Sequence, residues 1–524
     1  MSLIKSVFTV GGWTLAYRIS SLIRDSVQSR LLGAGMYADV FSLAFKFANI
    51  LRKLFAEGSF NASFLPIFAN VLKEKGHIEA QKLASQVLTW LVFAVSFLMV
   101  ICLICYRQIM QGFAPGVDVA SDKFEHLVQI GRICSPYIAA SFLAALFAGI
   151  LNTLNKFALP AAAQLTLNFC VIIAIFLGAF WFPSVAYTMA WATFFGGVIQ
   201  VVILWSNVRY CGFKVWFDVS PMMNEVKSFF KKLVSGAIGA GVWQLNVVID
   251  LIVLSFLPTG SISYFYYTDH VNQLPIGILG IAFSTALLPP ITRAIAAKNN
   301  EMAQKQMNFG LLFAFIFTLP SAIMLISLSE PITGALYGGG NFGPEQVAIA
   351  APTLAAFAIG LPAYMATKVF STTFFAHKNT RTPLIGGIIS IITNLLFIGV
   401  FMPTLKHTGI ALATSLSSWC NVVYLLFCLR KLGTMNVDMG TAKECGRQFI
   451  ASVIMMMAII GMNVFAEYHY HNGALERNIT LLIVISVGLL VFYVIGRIFG
   501  IFKFFGVFET IDKKDEKLSQ EKVL

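Results

Sequence analysis

The segment RISSLIRDSVQSRLLGAGMYADVFSLAFKFANILRKLFAE, residues 18–57, is apolar enough to enter a bilayer, yet Arg18, Arg24, Asp25, Asp39, Lys46, Arg52, Lys53 and Glu57 interrupt it. A charged side chain at mid-bilayer costs at least ~2.5 kcal/mol, so such groups face a wet cavity or a partner and mark function. The rest of the chain makes the membrane setting plain. Of its 524 residues, 58% are hydrophobic and only 12% charged, whereas roughly 45–50% apolar is usual for a globular protein. Apolar runs of ~20 residues recur throughout, which predicts an all-α polytopic membrane protein; a transmembrane barrel would alternate over ~10-residue strands.

Hydropathy predicts about fourteen transmembrane helices: 8–32, 37–57, 85–112, 127–151, 160–182, 185–208, 228–257, 262–292, 308–336, 346–376, 383–403, 408–430, 446–466 and 479–501. Spans one, two, seven and eight are the least apolar, as helices lining an aqueous cavity should be. The loops after the even-numbered spans carry the cations, among them Lys73, Lys75 and Lys82, then Arg209, Lys214 and Lys227, then Arg430, Lys431 and Lys443. Asp118, Asp122 and Glu125 outnumber Lys123 in one opposite loop. The cation-rich loops are therefore expected in the cytoplasm, with both termini there too. This bias accounts for most of the net charge of +13. A nucleic-acid partner is not expected, because no basic face interleaved with aromatics occurs on a soluble segment. The eight cysteines are scattered, and Cys102 and Cys105 lie inside an apolar helix, so they read as packed or lipid-facing thiols. No cleavable signal peptide is expected either.

An internal repeat organises the spans. Asp25 and Gly35 recur as Asp250 and Gly260 at an offset of 225, and Phe64-Leu65-Pro66, Pro136 and Pro160 recur as Leu287-Leu288-Pro289, Pro362 and Pro383 at offsets of 223 to 226. Two pseudo-symmetric six-helix lobes are expected, residues 1–220 and 221–435. Two extra helices (436–502) and a charged cytoplasmic tail (503–524) follow. Each lobe has an even number of spans, so both insert in the same orientation; a parallel repeat of this kind belongs to transporters, with substrate near the midplane.

On span one, Arg18 and Asp25 lie about 20° apart around a helix and share a face, with Arg24 about 100° to one side. On span two, Asp39, Lys46, Lys53 and Glu57 fall within about 40°, a single polar stripe if the helix is regular. The charges can pair with one another or snorkel, but the surplus of cations favours an anionic substrate. Arginine suits a diphosphate because its planar fork donates two parallel hydrogen bonds. In the second lobe, Asp250, Asp269 and His270 are the ionisable residues well inside spans seven and eight. Asp250 with Asn394 offers oxygen ligands to a monovalent cation such as sodium, or else simple interhelical hydrogen bonds. His270 reads either as a cation at mildly acidic pH or as a neutral partner of Asp269. Gly338-Gly339-Gly340 is a turn rather than a phosphate loop, since no Gly-Lys-Ser/Thr follows. His469 and His471 have no third ligand nearby. No Ser/His/Asp set or paired carboxylates form one site, which argues against an enzyme, and no cofactor is expected.

Arg18, Arg24-Asp25, Leu32-Gly33-Ala34-Gly35-Met36, Asp39, Lys46 and Leu51-Arg52-Lys53-Leu54-Phe55-Ala56-Glu57-Gly58 closely resemble the MurJ (MviN) lipid II flippases. The likeness extends through Ile150-Leu151-Asn152-Thr153-Leu154-Asn155, Tyr266-Tyr267-Thr268-Asp269, Gly277-Ile278-Leu279-Gly280 and Leu287-Leu288-Pro289, nearly the whole chain. The resemblance implies a fold of the multidrug/oligosaccharidyl-lipid/polysaccharide exporter (MOP) superfamily. It also implies function at the positions matching Arg18, Arg24, Asp39 and Arg52, a cationic cavity for a diphosphate and sugar head group, and a groove for the polyprenyl tail on the last two helices. The family usually has an arginine where this chain has His270, so a permanent charge is replaced by a titratable one.

The expected function is alternating-access flipping of lipid II, the undecaprenyl-diphosphate-linked peptidoglycan precursor, across the bacterial cytoplasmic (inner) membrane. Arg18, Arg24, Arg52, Lys46 and His270 would bind substrate. Asp25, Asp39, Lys53, Glu57 and Asp269 would act as charge partners, and Asp250 with Asn394 as a sodium site. Membrane potential or a monovalent cation would drive the cycle. The partners expected are lipid II, membrane lipids and the peptidoglycan synthesis machinery. The alternatives are a flippase for another polyprenyl-diphosphate-linked oligosaccharide and a drug/cation antiporter of the same superfamily; the antiporter should present carboxylates and aromatics instead of arginines.

Overall fold

The computed structural model describes residues 3–178, 184–286, 288–297, 299–431, 437–471 and 473–503. In chain order the helices are α1 (Leu3–Leu32), α2 (Met36–Leu51), α3 (Phe60–Glu74), α4 (Gly76–Ile104), α5 (Tyr106–Phe113), α6 (Asp122–Cys134) and α7 (Pro136–Thr153). They continue with α8 (Ala158–Ala163), α9 (Leu165–Gly178), α10 (Val185–Tyr210), α11 (Asn224–Leu254), α12 (Ser261–Ala286), α13 (Leu288–Ala296) and α14 (Asn300–Ser327). The last six are α15 (Ser329–Tyr337), α16 (Pro344–Ala358), α17 (Leu361–Ala376), α18 (Arg381–Lys431), α19 (Met439–His471) and α20 (Ala474–Ile498). Among the described residues no strand forms; an isolated bridge joins Gly339 to Phe342.

Each of the fourteen predicted spans is carried by one or two of these helices. Among the described residues, nine helical stretches are long and apolar enough by themselves to cross a membrane, and they take in spans three to six and nine to fourteen. Eleven and twelve form one 51-residue helix, α18, broken at Lys406 (φ 51°, ψ −128°). A straight helix of that length would run far beyond a hydrocarbon core of ~30 Å. The break reverses the chain so tightly that a Cβ on Gly409 would lie 2.6 Å from the backbone of Phe401.

The repeated prolines explain two other interruptions. Proline lacks an N–H and clashes with the carbonyl four residues back, so it is tolerated in a helix's first turn. Pro136 opens α7 directly after α6, and Pro362 sits in the first turn of α17 after α16. The same break therefore recurs at the offset read from the sequence. Span two departs from expectation. A π-helical segment, Arg52–Ser59, joins α2 to α3, so helix continues to Glu74 where a loop was expected near residue 57.

The described chain forms two compact units. The first comprises Met1–Tyr267 with Tyr337–Gln346. Its core includes an aromatic column in which Phe60, Phe64 and Phe68 of α3 pack on one another, with Phe229 of α11 5.1 Å from Phe60 and Phe213 5.8 Å from Phe68. The second comprises Thr268–Leu336 with Val347–Leu524. There Met307 and Leu311 of α14 cluster with Ala363, Ala366 and Phe370 of α17 and Leu425 of α18. Small residues at such contacts let helix backbones approach, which is how helices associate where lipid is as apolar as leucine. Outward faces remain apolar: Phe93, Phe97 and Ile104 on α4, and Leu482, Leu490 and Ile498 on α20, are all exposed.

At the polar end of the first unit, Lys75 Nζ bonds Glu225 at 2.6 Å, tying the turn after α3 to the first turn of α11. The ammonium holds the Glu225 carboxyl below its usual range, and the carboxylate raises Lys75 in turn. A depressed carboxyl stabilises the fold above its ordinary pKa of ~4.3 and loses that contribution as pH falls through the lowered value. The protection of amides in the first turn of α11, relative to their intrinsic exchange rate at each pH, should therefore fall on acidification below about pH 4 in the wild type and show no such step in Glu225→Gln. Identical pH profiles would disprove the link.

Candidate functional site

Arg24 is the centre of the charged region. Its side chain is buried, and all three guanidinium nitrogens are engaged: Nε and Nη2 donate to Asp25 Oδ1 at 3.0 and 2.7 Å, Nη1 to Asn168 Oδ1 at 3.1 Å, and Nη2 to the Tyr266 hydroxyl at 3.1 Å. The cationic carbon lies 5.2 Å from the centroid of Phe45, a favourable seat for a cation over a ring face. Asn168 is oriented from α9 by donating to Ser20 Oγ at 2.8 Å. Lys46 Nζ lies 5.3 Å from the centroid of Tyr266. One tyrosine at the start of α12 thus serves two cations of the first two helices, through its hydroxyl and its face.

Helical projection paired Asp25 with Arg18. The structure pairs it with Arg24, its neighbour in sequence, because a long guanidinium reaches across the roughly 100° between adjacent positions. Arg18 is half-buried, and its Nε, shielded from solvent, has no hydrogen-bond partner among the described residues. Arg52 is half-buried and donates from Nε to Asn49 Oδ1 at 3.0 Å. Lys53 is exposed. The stripe expected on span two does not extend as one line, because Arg52 begins the π segment, whose i→i+5 bonding changes the rotation per residue. The side chain of Glu57 lies outside the described residues, as do those of His469, His471, Leu287-Leu288-Pro289 and the tail beyond Lys503.

Asp39 forms a second centre. It is fully buried in the first turn of α2 and accepts four hydrogen bonds, from Lys123 Nζ (2.9 Å), Gly260 N (2.8 Å), Ser263 N (3.0 Å) and Ser263 Oγ (2.7 Å). The carboxylate therefore caps the first turn of α12 from another helix, where unsatisfied N–H groups and the helix dipole favour negative charge. The surrounding turns are close-fitted. Gly33 (φ 64°) and Gly260 (φ 98°) are left-handed, and a Cβ would come 2.6 Å from the Asn341 carbonyl oxygen in the first case and 2.7 Å from that of Ala34 in the second. Asn341 N donates to Arg30 O at 2.8 Å, and the Tyr337 hydroxyl to Tyr267 O at 2.8 Å.

Asp250, on α11 in the first unit, is buried; Asn394, on α18 in the second, is fully buried. In the second unit both carboxylate oxygens of Asp269 accept from Gln273 Nε2 at 2.9 Å, one turn along α12, and His270 is half-buried. Among the described residues no cluster of three or more His, Cys, Asp or Glu is arranged to hold a metal.

Sequence reading missed Asn168, the capping role of Asp39, and Lys123 as its partner. Apart from Asn394, matched to Asp250, the argument from burial cost rests on charged side chains, so the uncharged Asn168 in span five stands outside it, and Lys123 enters as one cation against three acids. Applying the same cost argument to neutral amides would have singled out Asn168.

A family model described as lipid II flippase MurJ matches residues 28–481, most of the chain. The chain belongs to the MurJ family. A probable lipid II flippase MurJ of Rhizobium meliloti (strain 1021) is 34% identical over 470 residues, covering 88% of this chain and 86% of that one. The lipid II flippase MurJ of Burkholderia cenocepacia is 31% identical over 444 residues, covering 84% and 86%. The solved structure of lipid II flippase MurJ in an inward closed conformation superposes with a TM-score of 0.77 at 27% identity, over 94% of this chain and 98% of that one. An inward-facing MATE family transporter of the MOP superfamily, 14% identical with a TM-score of 0.66, shares the fold. MurJ membership and the apolar helices make this chain a multi-pass protein of the inner membrane, and a transporter rather than an enzyme.

Proposed function

We propose that this chain flips lipid II from the inner to the outer leaflet by alternating access, with both termini in the cytoplasm. The observation that carries the reading is the cationic cluster of α1, α2 and the π segment. Arg18, Arg24, Lys46 and Arg52 lie there, with Asp25 the carboxylate bonded to Arg24, inside a chain whose family match spans residues 28–481. A diphosphate is the ligand suited to arginines held at a membrane interior, because two forked donors and fixed positive charge offset the desolvation of its oxygens.

Arg24 and Arg52 are assigned to the diphosphate, assisted by Arg18 and Lys46. In the arrangement described above, Arg24 donates to Asp25, Asn168 and Tyr266. Substrate binding would exchange some of those partners for phosphate oxygens, so the empty and loaded proteins prefer different conformations. Asp39, bound to the first turn of α12, would be remade and broken in each cycle. His270 would act as a substrate-binding residue and Asp269 as a charge partner, and the exposed apolar faces of α19 and α20 would receive the polyprenyl tail. Membrane potential or a sodium gradient, with Asp250 as the acidic residue, would bias the return step.

The test is depletion of this protein in its host while lipid II accessibility at the outer leaflet is measured. Accessibility should collapse on depletion and return with the wild-type gene; unchanged accessibility would overturn the reading. A flippase for another polyprenyl-diphosphate glycan would leave lipid II unaffected while that other glycan accumulates inside.

A further inference from the structure

Apart from the Arg24 and Asp39 centres, the first unit contains a partly open cavity of about 290 Å³ lined by residues of α1, the π segment and α3, α7 to α9 and α10. Its lining combines one cation, Arg52, with four amides, Asn61, Asn152, Gln164 and Gln200, and the ring of Tyr17. The amides are out of place by lipid standards. Gln200 lies within α10 and Gln164 between α8 and α9, both in stretches apolar enough to span a membrane. Among the described residues, no hydrogen bond joins the side chains of Asn152, Gln164 or Gln200 to another group. Neutral amides in such helices normally bond across to a neighbour; these three face a shared space instead.

We infer that this cavity is a subsite for the secondary-amide portion of the cargo, either an acetamido sugar or the stem peptide. The inference rests on the flippase reading above. Each Asn or Gln side chain offers a donor and an acceptor side by side, the complement of a secondary amide. A single arginine in the wall places the subsite beside a phosphate or carboxylate without demanding charge inside it. Ligand pockets run from ~300 to 1,000 Å³, so this one holds a fragment and not the whole head group. The cargo's diphosphate at Arg52 and its neighbouring amide-bearing group in the cavity would then be read by one contiguous surface within one unit, and the amides would discriminate between polyprenyl-diphosphate lipids that all satisfy the arginines.

The experiment uses full-length protein in lipid nanodiscs, wild type against Gln164→Leu and Gln200→Leu. Three probes are titrated: lipid II, the same lipid without its stem peptide, and bare undecaprenyl diphosphate. Losing one or two hydrogen bonds to the ligand should weaken lipid II binding about tenfold, while bare undecaprenyl diphosphate binds as before. If the peptide-free lipid shows the same loss, the acetamido sugars occupy the cavity; if its binding is unaltered, the stem peptide does. Equal affinity of variants and wild type for lipid II overturns the inference, and so does a parallel loss for the bare diphosphate, which would mean a disturbed fold. Wild type that binds none of the three would instead reject the flippase reading itself, and the subsite with it.

Discussion

Asp39→Ala is expected to abolish complementation of a flippase-depleted strain and to lower the melting temperature of the purified protein. The carboxylate is fully buried and receives four donors from α6 and the first turn of α12. Removing it strands the Lys123 ammonium, whose side chain is only 17% exposed, and leaves the amides of Gly260 and Ser263 without an acceptor. Breaking a buried pair by deleting one partner costs ~3–5 kcal/mol. At 1.4 kcal/mol per factor of ten, the arrangement in which α2 grips α12 would be depopulated by roughly two to three orders of magnitude. Asp39→Asn keeps the shape but turns one acceptor into a donor facing donors, so it should be nearly as damaging. If Asp39→Asn melts and complements like wild type, the charge of this residue plays no part in holding α12.

The second large effect is at Arg24. Arg24→Ala should cost ~3–5 kcal/mol, because the carboxylate of Asp25, itself 0% exposed, would lose the guanidinium that donates two hydrogen bonds to it. Arg24→Lys retains the charge, yet a single ammonium cannot span Asp25, Asn168 and Tyr266 at once, so an intermediate loss is expected. The informative variant is the double change Arg24→Ala with Asp25→Ala. Removing both charges should restore much of the melting temperature without restoring transport. Recovery of transport in the double variant would show that Arg24 serves only to neutralise Asp25.

Much of this architecture was legible from the chain. Apolar runs of the right length marked the spans, and Pro136 and Pro362 disclosed a recurring helix break, because proline acts through local sterics that need no tertiary context. The charged stretch was found for a similar reason: nine charged side chains between residues 18 and 57, in a lipid setting, demand an account. What escaped was geometry that depends on packing. Projection on an ideal helix put Asp25 with Arg18, since it ignores how far a guanidinium can reach. The same projection drew one stripe from Asp39 to Glu57, since nothing in the residue types between Arg52 and Ser59 announces a wider turn. Asn168, Gln164 and Gln200 escaped because a neutral amide stands out in a sequence only where an ionisable residue is matched to it, as Asp250 is to Asn394, although in a bilayer it too must find a partner.

The π segment bears on how related chains should be compared. A wide helical turn absorbs a residue without interrupting the helix. A relative one position shorter between Asn49 and Phe60 would form plain α-helix there, and could still bring the counterparts of Phe60, Phe64 and Phe68 against the same neighbours. Its correct alignment would then open a single gap in mid-helix, and a procedure that forbids such gaps would shift Arg52 one place out of step with its true counterpart.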